Sequence, residues 1–258
     1  MFMEPPESES VVLLFDDDLA GLLRRSPGRS TVRYRPREGQ SIKDMVESLG
    51  IPHTEVGRIT ANGRDAGFSL QPAPGRQVRV LGHDLPLDVT RSDGFREAYP
   101  RLRFLVDDNA AGVVMLLRAL GIDTRWDRGT DDAELAAISS DEQRVLLTRD
   151  RGLLMRSKVQ HGRLLRSQRP DGQLAEVVRA YGLQQTNGIM GRCLRCNVMT
   201  HYVEKSDVLH LLEPKTKKYY NEFRHCPQCG GLFWKGTHYM HLINRLKNAG
   251  VEIAAGSL

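Results

Sequence analysis

The chain has no apolar run approaching the roughly 20 residues that a bilayer-spanning helix requires, so a helical membrane protein is not expected. Its opening, MFMEPPESES, is acidic and lacks the basic, apolar and cleavable parts of a secretory signal. Cysteine is scarce, with four in 258 residues. The expectation is therefore a cytoplasmic protein with reduced thiols, a setting where cysteine pairs serve metals more often than disulfides. Acids are the minority charge: 37 Lys and Arg stand against 32 Asp and Glu, giving a net charge of +5 and a pI near 9.1. That balance favours an anionic partner, weakly unless the cations are clustered. An apolar content of 40% is enough for packed cores, and the length suits two domains or three small ones.

Taken in order, residues 1–10 have the composition of a disordered leader. Residues 11–85 follow an α+β pattern, with strand candidates at 11–15, 31–34, 58–61 and 77–81. Residues 42–49 suit a short helix with Ser41 as N-cap, Gly50 just past its end, and Ile42, Met45, Val46 and Leu49 on one face. Asn62-Gly63 marks a tight turn. The succession around EGQSIKDMVESLGIP and ITANGRDA resembles the ubiquitin-like β-grasp fold of small sulfur-carrier proteins. Such carriers act through a free Gly-Gly tail, which is missing here because Leu81-Gly82-His83-Asp84 runs on into more protein. The resemblance implies a recognition or scaffolding domain that could dock a protein partner.

Residues 86–100, with Pro86, Gly94 and Pro100, read as a linker. Beyond it strands alternate with helices: a strand at 102–106, a helix at 110–120 that is apolar nearly all round, and a short strand at 124–126. A helix then begins after Asp131, followed by strands at 145–148 and 162–165 and a helix at 173–181 capped by Asp171. This alternation calls for βαβ units and a mainly parallel sheet across 101–183. Residues 183–191 form a polar joint to a cysteine-bearing module at 184–258, with a closing helix near 238–249 whose Tyr239, Leu242, Ile243 and Leu246 share a face.

Two of the strand candidates run straight into acids. Residues 102–106 (LRFLV) end at Asp107 and Asp108, and VLLT at 145–148 ends at Arg149 and Asp150. Ligands in open α/β sheets collect beyond the carboxyl ends of strands, and magnesium or manganese prefers carboxylate oxygens. Asp107 and Asp150 are thus the leading candidates for a catalytic metal site. The cluster Asp131, Asp132 and Glu134 offers a third: Asp131 suits a helix cap, Glu134 a capping box, and Asp132 has the fewest structural duties. Ordinary turns also place carboxylates at strand ends, so spacing alone leaves both readings open.

Seven cations, Arg149, Arg151, Arg156, Lys158, Arg163, Arg166 and Arg169, stand between 149 and 169, where Asp150 is the only acid. Beside a metal site such a strip suits a polyanion backbone. A solvated charged face is the alternative.

All four cysteines fall in Cys-x-x-Cys pairs, Cys193 with Cys196 and Cys226 with Cys229, and 29 residues separate the pairs. Knuckle spacing with four thiolates points to a closed, structural zinc site in a ribbon. Around it Lys215, Lys217, Lys218, Tyr219, Tyr220, Phe233, Trp234 and Lys235 mix cations with aromatics, a combination that serves either single-strand binding or a small core.

The segments RFLVDD, LLRALGIDTRWD, LLTRDRGLL, RCLRCN and FRHCPQCGGLFWKGTHY, spread over about 102–245, resemble the Mut-seven C-terminal RNase family. That resemblance implies a PIN-like nuclease domain with helices on both sheet faces, an appended zinc ribbon and, in some members, a ubiquitin-like domain in front. It assigns the family acids to Asp107, Asp132 and Asp150, which would hold magnesium or manganese. It further implies RNA as substrate, transfer or ribosomal RNA among the candidates, with His238 in the family motif WKGTHY as a contact; Arg149, Arg151, Arg156 and Lys158 of the basic strip are the expected phosphate contacts. One departure concerns 109–115 (NAAGVVM), where typical members carry basic residues. The reading is a metal-dependent ribonuclease. The alternative is a non-catalytic RNA- or ribosome-binding protein on the same scaffold.

Overall fold

The computed structural model describes residues 6–185 and 188–253. They group into two compact units that cross the linear order: 1–101 with 131–164, and 102–130 with 165–258.

The first unit is built on a five-stranded mixed sheet. The strand Val11–Phe15 alternates buried and half-buried side chains and lies mid-sheet, antiparallel to Thr31–Tyr34 on one side and parallel to Gln77–Leu81 on the other. Gln77–Leu81 also pairs with Arg58–Ala61, which turns through Asn62 (φ 52°) and Gly63 (φ 76°) into the two-residue strand Arg64–Asp65. The helix Ile42–Ser48 covers this sheet. Ser41 caps it by accepting from the Asp44 amide at 3.2 Å, and Ile42, Met45 and Val46 are fully buried. Gly50 takes the left-handed conformation (φ 96°) that ends the helix. This is a β-grasp sheet.

The expected leader meets the described residues only in its second half. There Glu7–Glu9 make a 3-10 turn, and Ser10 is buried with its carbonyl accepting from Gly75. The expected linker is closely bonded. Residues 86–100 are fastened down by Arg96, only 6% exposed, whose guanidinium reaches the carbonyls of His53, Val56 and Gln160 at 2.7–2.9 Å.

The same unit holds 131–164. The helix Asp132–Asp141 leads to the strand Val145–Thr148, buried at every position, which pairs in parallel with Gly162–Leu164. A single-turn helix, Arg151–Leu154, lies between the two strands. This half is bonded to the β-grasp half through Glu55, which is 2% exposed. Its carboxylate accepts from the Leu164 amide and from Arg163, both at 2.7 Å, while the His53 ring meets the Val159 carbonyl at 2.9 Å.

In the second unit the buried strand Phe104–Val106 pairs in parallel with Thr124–Arg125. The expected helix over 110–120 begins as a 3-10 segment, Asp108–Val113, and becomes α-helical only over Val114–Ala119. Gly112 permits the close approach of Pro170, since a Cβ there would lie 2.6 Å from its ring. Pro170 itself starts the helix Pro170–Tyr181, so Asp171 is a first-turn acid and not the cap. A fixed φ at the first helical position explains that earlier start. Three short antiparallel strands, His201–Val203, Phe223–His225 and Leu232–Phe233, make the ribbon, with the short helices Lys205–Val208 and Pro214–Tyr219 in the excursion between the first two. The helix Thr237–Asn248 buries Tyr239, Leu242, Ile243 and Leu246, and its Arg245 pairs with Asp171 at 2.7 Å. Part of the expected joint at 183–191 lies outside the described residues.

Candidate active site and metal centre

Asp107 follows the buried Val106 and stands at the N-cap position of the 3-10 segment, half-buried, with its carboxylate accepting from the Asn109 amide group. Asp108 is engaged elsewhere. It accepts from the Gly129 amide at 2.8 Å and the Trp126 indole at 2.7 Å, and these bonds hold its carboxyl below the usual range. That geometry gives Asp108 a structural role and leaves Asp107 as the acid at this strand end.

Asp131 caps its helix as expected, with one oxygen accepting from the amides of Ala133 and Glu134 at 2.8 and 2.9 Å. Asp132 occupies the first helical position, half-buried, 3.7 Å from the guanidinium of the exposed Arg156. Asp150 does two things at once. Its backbone is pinned by the Thr148 hydroxyl at 2.9 Å, and its Oδ1 caps the next helix by accepting from Gly152 at 2.6 Å. The side chain is exposed at the end of a strand that is not.

The seven-cation strip is not one surface. Arg151 turns inward, donating to the carbonyls of Leu22 and Gly50 at 2.5 and 3.0 Å, and Arg163 is spent on Glu55. Both are struts, because an ion-pairing or multidentate guanidinium satisfies buried acceptors that would otherwise cost free energy. Arg151, expected at the phosphate, thus carries bonds to the backbone of 22 and 50. Arg149, Arg156 and Lys158 have exposed side chains in the first unit, and Arg166 and Arg169 in the second.

The cysteines converge. One sulfur from each of Cys193, Cys196, Cys226 and Cys229 lies within 4.8 Å of all the others. The Cys193–Cys229 Sγ separation is 3.7 Å, close to the edge of about 3.8 Å that a tetrahedron with 2.3 Å zinc–sulfur bonds requires. Both knuckles turn alike. Asn197 (φ 64°) and Gly230 (φ 69°) follow the second cysteine of each pair in the left-handed region, and their amides donate to the carbonyls of Cys193 and Cys226 at 3.0 Å. The role of Asn197 was not read from sequence, although Asn is the residue that most readily takes glycine's place there. The Gly231 amide, followed by the neighbouring thiols, draws the Cys229 thiol down to about 7, while its bond to Cys229 and burial push Cys196 up to about 12. Such a donor set fits one metal ion of zinc's preferences.

A second residue missed from sequence is Arg118, the lone cation in the apolar 110–120 run. It is 6% exposed and donates to the carbonyls of Thr124, Leu194 and Arg195 at 2.7–3.0 Å. Asn197 adds bonds to the Thr124 amide and the Asp123 carboxylate, and Arg192 reaches the Gly121 carbonyl. The first knuckle is thereby stitched to 118–124. A charged residue inside an apolar helix is the signal that pointed to it, since such groups are buried only when paired. His238 lies exposed in the first turn of the Thr237–Asn248 helix, on the rim of an aromatic groove beside the ribbon.

Comparison with known proteins places this geometry in context. No curated protein and no solved structure matches the chain. The family model of the Mut7-C ubiquitin domain matches residues 8–87, the β-grasp part. The Mut7-C RNAse domain model matches residues 102–246, more than half of the chain, covering both parallel strand pairs and all four cysteines. This protein therefore belongs to the Mut7-C RNAse domain family, with a Mut7-C ubiquitin domain ahead of the RNAse domain.

Proposed function

We propose that this protein is a metal-dependent ribonuclease that hydrolyses RNA phosphodiester bonds, with Asp107, Asp132 and Asp150 holding magnesium or manganese. The observation that carries the reading is the ending of two buried strands, Phe104–Val106 and Val145–Thr148, in acids, the half-buried Asp107 and the exposed Asp150, inside a segment that matches an RNase domain. A divalent ion at such carboxylates supplies Lewis-acid assistance to phosphoryl transfer. The residues have separate tasks. Asp150 presents Oδ2 while its Oδ1 keeps the helix cap, and Asp132 offers its carboxylate beside Arg156. Arg149, Arg156 and Lys158 supply positive charge for the substrate backbone, each phosphate contact steepening the salt dependence of binding by about one counterion. Zinc in the four-thiolate site is structural, because a site with no open position cannot activate water.

The test uses labelled transfer, ribosomal and messenger RNAs with the full chain, with added manganese and without. Asp107→Asn and Asp150→Asn should each abolish cleavage while binding survives. Cleavage that persists in both variants, or that needs no added divalent ion, rejects the reading. A second reading, a non-catalytic RNA-binding protein, draws on one observation: 109–115 contains no cation, and Arg118, the cation that follows in that helix, is spent on the zinc knuckle. It predicts salt-sensitive binding with no product at any metal concentration.

A further inference from the structure

Eight large apolar side chains stand most exposed among the described residues, and seven of them lie between Met199 and Met240, including Tyr202 at 76%, Tyr219 at 66% and Trp234 at 36%. A small ribbon that used its aromatics only as core would not leave them in water. Two of them, Tyr219 and Trp234, line a groove of about 570 Å³ together with Tyr220, and Lys215 and His238 stand beside them. A neighbouring hollow of about 410 Å³ shares Phe233 and Trp234 and adds Arg224, Lys235 and Tyr202. The cations sit on the aromatics: the Arg224 guanidinium is 4.3 Å from the centre of the Tyr202 ring, and the Lys218 ammonium 5.3 Å from that of Tyr219. Between Met199 and Met240 six Lys and Arg stand against four acids. The Thr237–Asn248 helix has no side-chain cap, and its first residues line the same groove, adding the positive end of a helix to the cations.

Apolar flat faces alternating with cations match one class of ligand. Unpaired nucleobases stack on aromatic rings whatever their identity, and their phosphates take the cations. A purely apolar peptide would leave the lysines without partners, and a duplex would hide its base faces. We infer that the groove beside the zinc ribbon is a stacking subsite for single-stranded RNA, with bases on Tyr219 and Trp234 and phosphates on Lys215 and Lys218. The inference rests on the nuclease reading for the identity of the polymer, but the binding it describes needs no cleavage.

The experiment measures anisotropy of a labelled ten-nucleotide RNA with the full-length, zinc-loaded Asp150→Asn chain and no added magnesium or manganese. Parallel arms use an abasic oligomer of the same length and an RNA duplex. The single strand should bind about tenfold or more tighter than the abasic oligomer. Tyr219→Ala, at an exposed ring, should weaken the single strand by roughly 5- to 100-fold and leave the abasic oligomer unchanged. Because Trp234 packs near Phe223, with ring centres 6.3 Å apart, Trp234→Phe serves beside Trp234→Ala, and should restore most of the affinity. Equal binding of all three ligands, or no response to Tyr219→Ala, overturns the inference. Cleavage by the wild type that survives such a result leaves the nuclease reading standing. Base-dependent binding without any cleavage does the reverse.

Discussion

The thiols and the carboxylates of this chain are held in opposite ways. Four cysteines converge with their sulfurs within 4.8 Å, and Arg118 and Asn197 bond the first knuckle to 118–124 without taking up a ligand atom. The acids each carry a second duty: Asp131 and Asp150 cap helices, Asp108 ties down Gly129 and Trp126, and Asp132 faces Arg156. A dedicated ligand set states itself in spacing. A carboxylate at a helix start serves the backbone as readily as a metal, so its function must be tested apart from its structural work.

The largest effect should come from breaking the dedicated site. Cys226→Ser should leave the chain unable to retain zinc, and because the first knuckle is bonded to 118–124, amide-exchange protection should fall there as well as in the ribbon. Structural zinc sites contribute on the order of 10 kcal/mol, so the ribbon should not fold without the metal. Unchanged protection at 118–124 in the zinc-free variant would show that the stitching is incidental. Next in size is Arg118→Met. It keeps the volume but strands three carbonyls, at a cost of about 2–4 kcal/mol, measured as a shift in the urea midpoint. A loss under 1 kcal/mol would mean that water replaces the guanidinium.

What could be read ahead of the structure follows the same division. Cysteine spacing, the Asn62-Gly63 turn, the Ser41 cap and the closing face of Tyr239, Leu242, Ile243 and Leu246 are local patterns, and each is present. The strands at 104–106 and 145–148 were legible because they are uninterrupted apolar runs ending in charge. What could not be read was partnership across the chain. Nothing near Arg151 or Arg163 in sequence says that their guanidinium groups serve Leu22, Gly50 and Glu55. Arg96, in a stretch whose Pro and Gly suggested a linker, is bonded to His53 and Val56, about 40 residues earlier. Charge clustering along the chain therefore overstated the basic surface: of seven cations, two are internal struts.

Acid acts on the first unit through a histidine. In the first unit His83 is drawn down to about 4, chiefly by burial, and then by the nearby Arg96, with its ring against the Thr54 carbonyl at 2.9 Å. A histidine whose folded value lies below its unfolded value of 6.5 binds a proton first in the unfolded chain. Its stabilising contribution is thus complete above pH 6.5 and is lost as the pH falls toward 4. Allowing for partial exposure, that is about 2 kcal/mol. His83→Gln should flatten the slope of stability against pH between 6.5 and 4. A slope identical to that of the wild type would assign the acid sensitivity to other groups.

The smallest expected change in stability is the most telling for the acids. Asp150→Ala removes the cap on the Arg151–Leu154 turn and should cost about 1 kcal/mol, whereas Asp150→Asn retains an oxygen able to accept from Gly152 and should cost only a few tenths. If Asp150 also holds a divalent ion, both variants lose RNA cleavage equally, because an amide oxygen brings no charge to the metal. The two readouts then come apart: Ala and Asn differ in the urea midpoint and agree in activity. Should activity instead follow stability, with Asn retaining what Ala loses, Asp150 is a cap alone. The carboxylate end of the comparison would then have to rest on Asp107 and Asp132.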